Sequence, residues 1–382
     1  MTPLPCHLHW KQLQPLPDSS SGAAYPCDRS SHCLSIANGR LLVIGGEHVA
    51  RTPLADDQFC WALDFLQTAD AGTSDESSYR WRLISSSSGS PPTRIAHAQA
   101  VVEDKYVYVF GGRAGITMDE KAMNDLWVLD CSGEAGTETW SQVTVADEAS
   151  VPEARSFHRM VAIGTKLYVF GGCGAVSGRL NDMHCFDTKT KTWSNLGSSK
   201  LRGRGGPNLL PLAAGRKLGV IAGFAGEETA DGHRFSVTES KWEDEIMSST
   251  SELKDLRPRS VCVSASFPSV GVSVIFGGEV DPSARGHEGA GGFANDVVIL
   301  DERTGSHITT VPASTSSWPG MRGWSDGAGL DREGRGQLFV FGGLAGDDTN
   351  PKRLGDLWRL DISDGQDDCD AFTDLDSARR AT

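Results

Sequence analysis

Six arginines recur at one place in a repeated pattern: Arg29, Arg94, Arg155, Arg204, Arg259 and Arg322, each 16 to 20 residues before a Gly-Gly or Ala-Gly pair. A guanidinium is permanently charged and grips carboxylate, sulfate or phosphate through two parallel hydrogen bonds, so a ring of them would concentrate anions. The competing expectation is that several pair with aspartates or backbone carbonyls and pin strands. The first three arginines belong to Arg-x-x-His, with His32, His97 and His158; the others carry Pro207, Cys262 and Ser325 at that place. A repeated histidine more often ties strands together than catalyses. His48 and His287 follow Gly-Gly in loops and are better placed for chemistry. Directly after the pairs stand Glu47, Arg113, Cys173, Glu279 and Leu344. Cys173 shows no base partner in sequence, so a structural thiol is expected ahead of a nucleophile. Trp324, beside Arg322, is expected as a stacking wall or as core.

The elements that position these residues are short strands. Each pair is preceded by a β-rich run: LLVI at 41–44, VYVF at 107–110, LYVF at 167–170, LGVI at 218–221, VSVIF at 272–276 and LFVF at 338–341. A variable loop follows, then a strand that reads Asn124-Asp125…Asp130, Asn181-Asp182…Asp187, Asn295-Asp296…Asp301 or Gly355-Asp356…Asp361. The fourth strand of each unit carries Trp81, Trp140, Trp193 or Trp242, with Ile308 in that place in unit five. Four strands in about forty residues, six times over, predict an all-β fold: a six-bladed β-propeller. Unit six ends at Asp361 with no fourth strand, while His9-Trp10-Lys11-Gln12-Leu13 stands alone before unit one. The N-terminal strand around Trp10 is therefore expected to complete blade six and hide its edge. The predicted domain is 1–362, followed by an acidic tail, 363–382, expected to be disordered. Residues 67–78 read as a polar insertion, and Ser85 to Ser90 as a flexible connector.

Composition narrows the function. The net charge of −14 argues against a nucleic-acid backbone as partner. No apolar run is long enough to span a bilayer, so no membrane role is expected. The N-terminus lacks the charged and apolar regions of a secretion signal. The nine cysteines are scattered and form no CxxC, which fits a reducing, cytoplasmic setting rather than disulfides or structural zinc. No phosphate loop, serine elbow or dinucleotide fingerprint occurs.

The Arg-x-x-His, Gly-Gly, Asn-Asp-x4-Asp and spaced tryptophans resemble kelch repeats over roughly residues 8–362. A narrower resemblance lies in Gly223-Phe-Ala-Gly-Glu227, the loop from Gly277 to Gly291 and Arg322-Gly-Trp324, which are similar to the plant nitrile-specifier and epithiospecifier proteins. That resemblance implies Fe(II)-dependent breakdown of sulfated thiohydroximates, a lyase or isomerase-type activity of secondary metabolism. It implies iron ligands in the pattern Glu-x3-Asp-x3-His; Glu279 and His287 match the outer positions, but Ser283 stands at the central one. Asp281, two residues from Glu279 on an extended chain, would lie on the same face, and a carboxylate–carboxylate–imidazole set would suit Fe(II); the competing expectation, placed first, is that Glu279 and Asp281 bond to loop backbone N–H groups and His287 packs against the glycine-rich turn. Arg113, in Gly-Gly-Arg, matches an arginine thought to hold the substrate sulfate. Two functions are expected from these readings. One is action on a small anionic metabolite at the channel mouth through Arg94, Arg113, Arg155, Arg322 and Trp324, assisted by Fe(II) on Glu279, Asp281 and His287. The other is a non-catalytic module that binds an acidic peptide or protein with the same arginines.

Overall fold

The computed structural model describes residues 6–20, 23–66, 79–85, 89–115, 122–314 and 317–364, with His287 described by its backbone only. The polar insertion 67–78 and the tail beyond residue 364 lie outside the described residues. Six antiparallel sheets of four main strands each form the blades of a propeller. Blade three is representative: Arg159–Ile163 pairs with Lys166–Gly174, that strand with Gly178–Asp187, and the last with Thr192–Ser198. The second strand of every blade is apolar on both faces because it is sandwiched between neighbouring blades; Leu167, Val169 and Phe170 are fully buried.

Blade six takes its outer strand from the other end of the chain. His7–Leu13 pairs along its whole length with Pro351–Ser363, placing Trp10 opposite Leu360. Trp10 is 3% exposed and packs on Phe276, with ring centroids 4.8 Å apart, between blades five and six. Blade five lacks the fourth-strand tryptophan, and Ile308 in its place is exposed. Trp318, from the connector after that blade, packs its ring beside Trp10 and donates Nε1–H to the Asn295 carbonyl.

The Gly-Gly pairs join the blades. The second glycine has φ near the left-handed region, +91° at Gly172, and a Cβ there would sit 2.6 Å from the Ser156 carbonyl oxygen. Its N–H reaches across to the next blade's repeat arginine: Gly172 donates to the Arg204 carbonyl, Gly223 to Arg259, Gly278 to Arg322, and Gly343 to Arg29, closing the circle. The imidazoles of His97 and His158 lie against the first glycine of the preceding blade, where a side chain would collide with them. Burial holds His97 down to about 3 and His32 and His158 well below the ordinary histidine range, with the neighbouring arginines adding to it, so all three are neutral packing groups.

Candidate functional site

The six repeat arginines do not line a mouth. Each is at most 1% exposed, lying inside its blade. Arg155 donates Nε–H to the Glu153 carbonyl, Nη1 to the Gly171 carbonyl at 3.1 Å, and both terminal nitrogens to Asp182 at 2.8 and 2.9 Å. Arg94 does the same with Asp125, Arg259 with Asp296 and Arg322 with Asp356. Arg204 reaches Asp231 at 2.7 Å. The expectation that Arg94, Arg155 and Arg322 present a ring of guanidiniums to an anion or an acidic peptide is corrected by this geometry. Their counter-charges are the aspartates of the third strands, and the inward fork leaves them sealed from solvent.

A second sixfold feature closes the channel. Two residues after each arginine stand Ser31, Ala96, Phe157, Gly206, Val261 and Trp324, all with φ between 46° and 57°. Their peptides form a head-to-tail ring: Ser31 N–H donates to the Trp324 carbonyl, Ala96 to Ser31, Phe157 to Ala96, Gly206 to Phe157, Val261 to Gly206, and Trp324 to Val261, at 2.8 to 3.0 Å. Left-handed backbone is costly for Phe, Val and Trp, and the closed ring of bonds offsets that cost. Phe157 and Trp324 meet edge to face across it, 5.5 Å between centroids. Below, a chamber of about 40 Å³ is lined by residues including His97, His158 and Arg159. Arg159 there forms a 3.0 Å ion pair with Asp326, tying blade three to blade six through the centre.

Above the ring lies the candidate site, a cavity of about 180 Å³ on the loop side of blades three to five. Its walls are Phe157, Phe224, Trp324 and Val261, and its polar groups are Cys173, Arg179, Ser260, Glu279 and Ser283. The sequence pattern explains its lining. The residue after each arginine bridges to the residue after each Gly-Gly, as in Gly205 with Phe224 and Ser260 with Glu279, so those positions face the mouth. Arg179, on the hairpin of blade three, holds its guanidinium 4.7 Å over the Phe224 ring. Arg113 does not line the cavity; it donates Nε–H to Ser156 Oγ at 2.8 Å. Burial pushes the Cys173 thiol up, opposed by Arg179 and Arg113. Burial pushes Glu279 up to about 7, with the charge of Asp348 adding and the Ser283 N–H opposing. Glu228, behind Ser260, is pushed up to about 8 by burial and by Glu279. Sequence reasoning singled out Trp324, Glu279 and Cys173 here, whereas Arg113 lies outside the lining. It missed Arg179 and Phe224, because Arg179 sits in a variable loop and no repeat position marks it.

The two carboxylates of the expected iron set point apart, and the side chain of His287 lies outside the described residues. A bulge between Glu279 and Asp281 breaks the strand alternation that was to put both on one face. Glu279 turns inward, while the Asp281 side chain is 81% exposed with Arg257 at 3.8 Å. Ser283, at the central position, donates its hydroxyl to Asp348. Among the described residues no group of three or more His, Cys, Asp or Glu is placed to hold a metal ion.

The KLHDC2/KLHL20/DRC7 Kelch-repeats domain profile matches residues 68–278, more than half of the chain. The chain belongs to the kelch-repeat family. This kelch propeller is 25% identical over 343 residues to N-(sulfonatooxy)prop-2-enimidothioate sulfolyase of Thlaspi arvense, covering 84% of the chain and 90% of that protein. It is 25% identical over 355 residues to the flagellar outer-arm dynein alpha chain of Chlamydomonas reinhardtii, of which it covers 7%. It is 27% identical over 277 residues to human Kelch domain-containing protein 1, covering 67% of the chain and 63% of that protein. The solved structure of YjhT superimposes with a TM-score of 0.62 at 17% identity, covering 87% of the chain and 95% of that structure. Among the described residues no helix is long and apolar enough to cross a membrane.

Proposed function

We propose that this kelch propeller binds a small molecule carrying one anionic group on an apolar body, in the cavity above the peptide ring, and acts on it by elimination or rearrangement. The observation that carries the reading is the pairing of Arg179 with a Phe157–Phe224–Trp324 wall in a cavity closed below by the ring. The guanidinium would take the anion through charge-assisted hydrogen bonds and the aromatic rings the body. With a sulfate ester or an N-(sulfonatooxy) substrate, the C–O or N–O bond to sulfate breaks and sulfate departs with that electron pair, the pair of a neighbouring bond that migrates or breaks takes its place, and Arg179 stabilises the charge where it develops. The sulfolyase relative supports this substrate class. Fold alone does not, since one propeller hosts many functions.

The test is calorimetric binding of inorganic sulfate, a short alkyl sulfate and an acidic peptide to the wild type and to Arg179→Gln. The alkyl sulfate is expected to bind more tightly than sulfate, and the variant to weaken it about tenfold or more, the worth of one hydrogen bond to a charged group. Alkyl sulfate binding that is absent, or indifferent to Arg179, overturns the reading. Tight binding of the peptide alone would establish the interaction-module reading in its place.

A further inference from the structure

Among the described residues Arg29 is the one repeat arginine without a carboxylate partner. In blade one Phe59 occupies the place of the aspartate: its carbonyl accepts the Gly45 N–H as that of Asp296 accepts Gly277. Arg29 is nevertheless fully buried. It donates Nε–H to the Cys27 carbonyl and Nη1 to the Gly45 carbonyl, both at 3.1 Å, and Nη2 to Gln58 Oε1 at 3.4 Å, while Nη2 stands 3.6 Å from Cys27 Sγ. Among the described residues no aspartate or glutamate forms an ion pair with it. A buried guanidinium with no counter-charge is unfavourable, and five sister sites in the same chain show how the fold otherwise meets that need. Burial lowers the Arg29 pKa, with Cys27 opposing, whereas at Arg259 the Asp296 bond outweighs burial and raises it. Cys27 Sγ is the ionisable atom aimed at by this guanidinium, and Cys27 is half-exposed, unlike the six buried described cysteines.

We propose that Cys27 serves as the thiolate counter-ion of Arg29 and is a modification site of this chain, open to hydroperoxides and soft electrophiles. With a hydroperoxide, the sulfur lone pair forms the S–O bond and the O–O bond breaks. The second oxygen leaves with the bonding pair as alkoxide, or as hydroxide where the oxidant is hydrogen peroxide; sulfur is oxidised by two electrons to the sulfenic acid and the peroxide is reduced. The other groups around the site are Asp28, Asp56 and Asp57, all exposed, the buried thiol of Cys60, and His48, whose Nδ1 bonds to the Asp28 carbonyl. The acids oppose ionisation, so the outcome rests on Arg29.

The experiment is peptide-resolved mass spectrometry of iodoacetamide labelling on the folded full chain between about pH 5 and 9, with Gln58→Glu as the variant. That isosteric change supplies Arg29 with the carboxylate its sisters have. In the wild type Cys27 is expected to label at neutral pH faster than a small free thiol, and in Gln58→Glu about tenfold more slowly than in the wild type. Wild-type labelling no faster than that of a free thiol overturns the proposal, as does a folded Gln58→Glu protein with an unchanged profile. Both results are independent of whatever the cavity binds.

Discussion

Changing Asp182 to asparagine removes the charge partner of a guanidinium that has no access to water. Arg155 is fully buried and places two of its four observed hydrogen bonds on Asp182. The asparagine amide would turn a donor toward one of the arginine nitrogens. Removing one member of a buried pair costs about 3–5 kcal/mol. The Asp182 side chain is 21% exposed, so water reaches the site and the lower end applies. His184 Nε2 loses its 2.8 Å partner as well, which adds about 1 kcal/mol. A loss of about 3–4 kcal/mol is a large part of the ~5–15 kcal/mol that holds a domain folded. The assay is equilibrium urea unfolding followed by tryptophan fluorescence, because Trp193 lies in the same blade. Replacing both partners by apolar residues, Arg155→Met with Asp182→Leu, should cost less than the single change, since no charge is left behind. Arg29→Met should also cost less than Arg155→Met, because it strands no carboxylate. A loss below about 1 kcal/mol for Asp182→Asn, or equal costs for Arg29→Met and Arg155→Met, would refute the view that these pairs are electrostatic struts.

Removing residues 1–13 strips the outer strand of blade six and the buried Trp10, and should lower the melting temperature far more than removing 365–382; equal shifts in a thermal melt would argue against the strand as a clasp. Acid should destabilise the propeller through the same aspartates. At Asp125, Asp182, Asp231 and Asp356 burial alone would raise the pKa, but the bonds from arginine, with His184 at Asp182, outweigh it and hold the folded value below the ordinary one. Their contribution is therefore present above the unfolded value of about 3.9 and lost as pH falls through the folded values, which should steepen the fall of the urea midpoint below about pH 4. The decline should already begin below about pH 6.5, where the unfolded chain protonates His32, His97 and His158 and the fold keeps them neutral, offset in part by Glu279 and Glu228, whose raised folded values cost stability as pH rises toward 8.

Much of the fold was legible because a blade repeats. Gly-Gly, the preceding β-run and the trailing aspartate recur at positions where each blade meets the same backbone demand, so six copies report one geometry. The unpaired strand around Trp10 was visible for a related reason: a ring with one strand missing at its end and one spare at its start has one economical solution. The arginines were found at the right places and given the wrong environment. Their spacing locates them, but whether a guanidinium faces a channel or an aspartate depends on the direction of a side chain within a closed sheet.

The candidate site divides in the same way. Sequence alone determined the six-bladed architecture and the mouth positions that include Glu279 and Cys173. Only the tertiary structure decided that six left-handed residues bond head to tail and seal the channel, that Arg179 and Phe224 meet above that seal, and that the bulge after Glu279 sends Asp281 outward. It also decided that Arg29 lacks the partner its five sisters have, because Phe59 takes the aspartate's place in space. The physical reason is that repeat spacing encodes contacts made within one blade or between neighbours, while a binding site is made by the non-repeating loops of several blades converging in space.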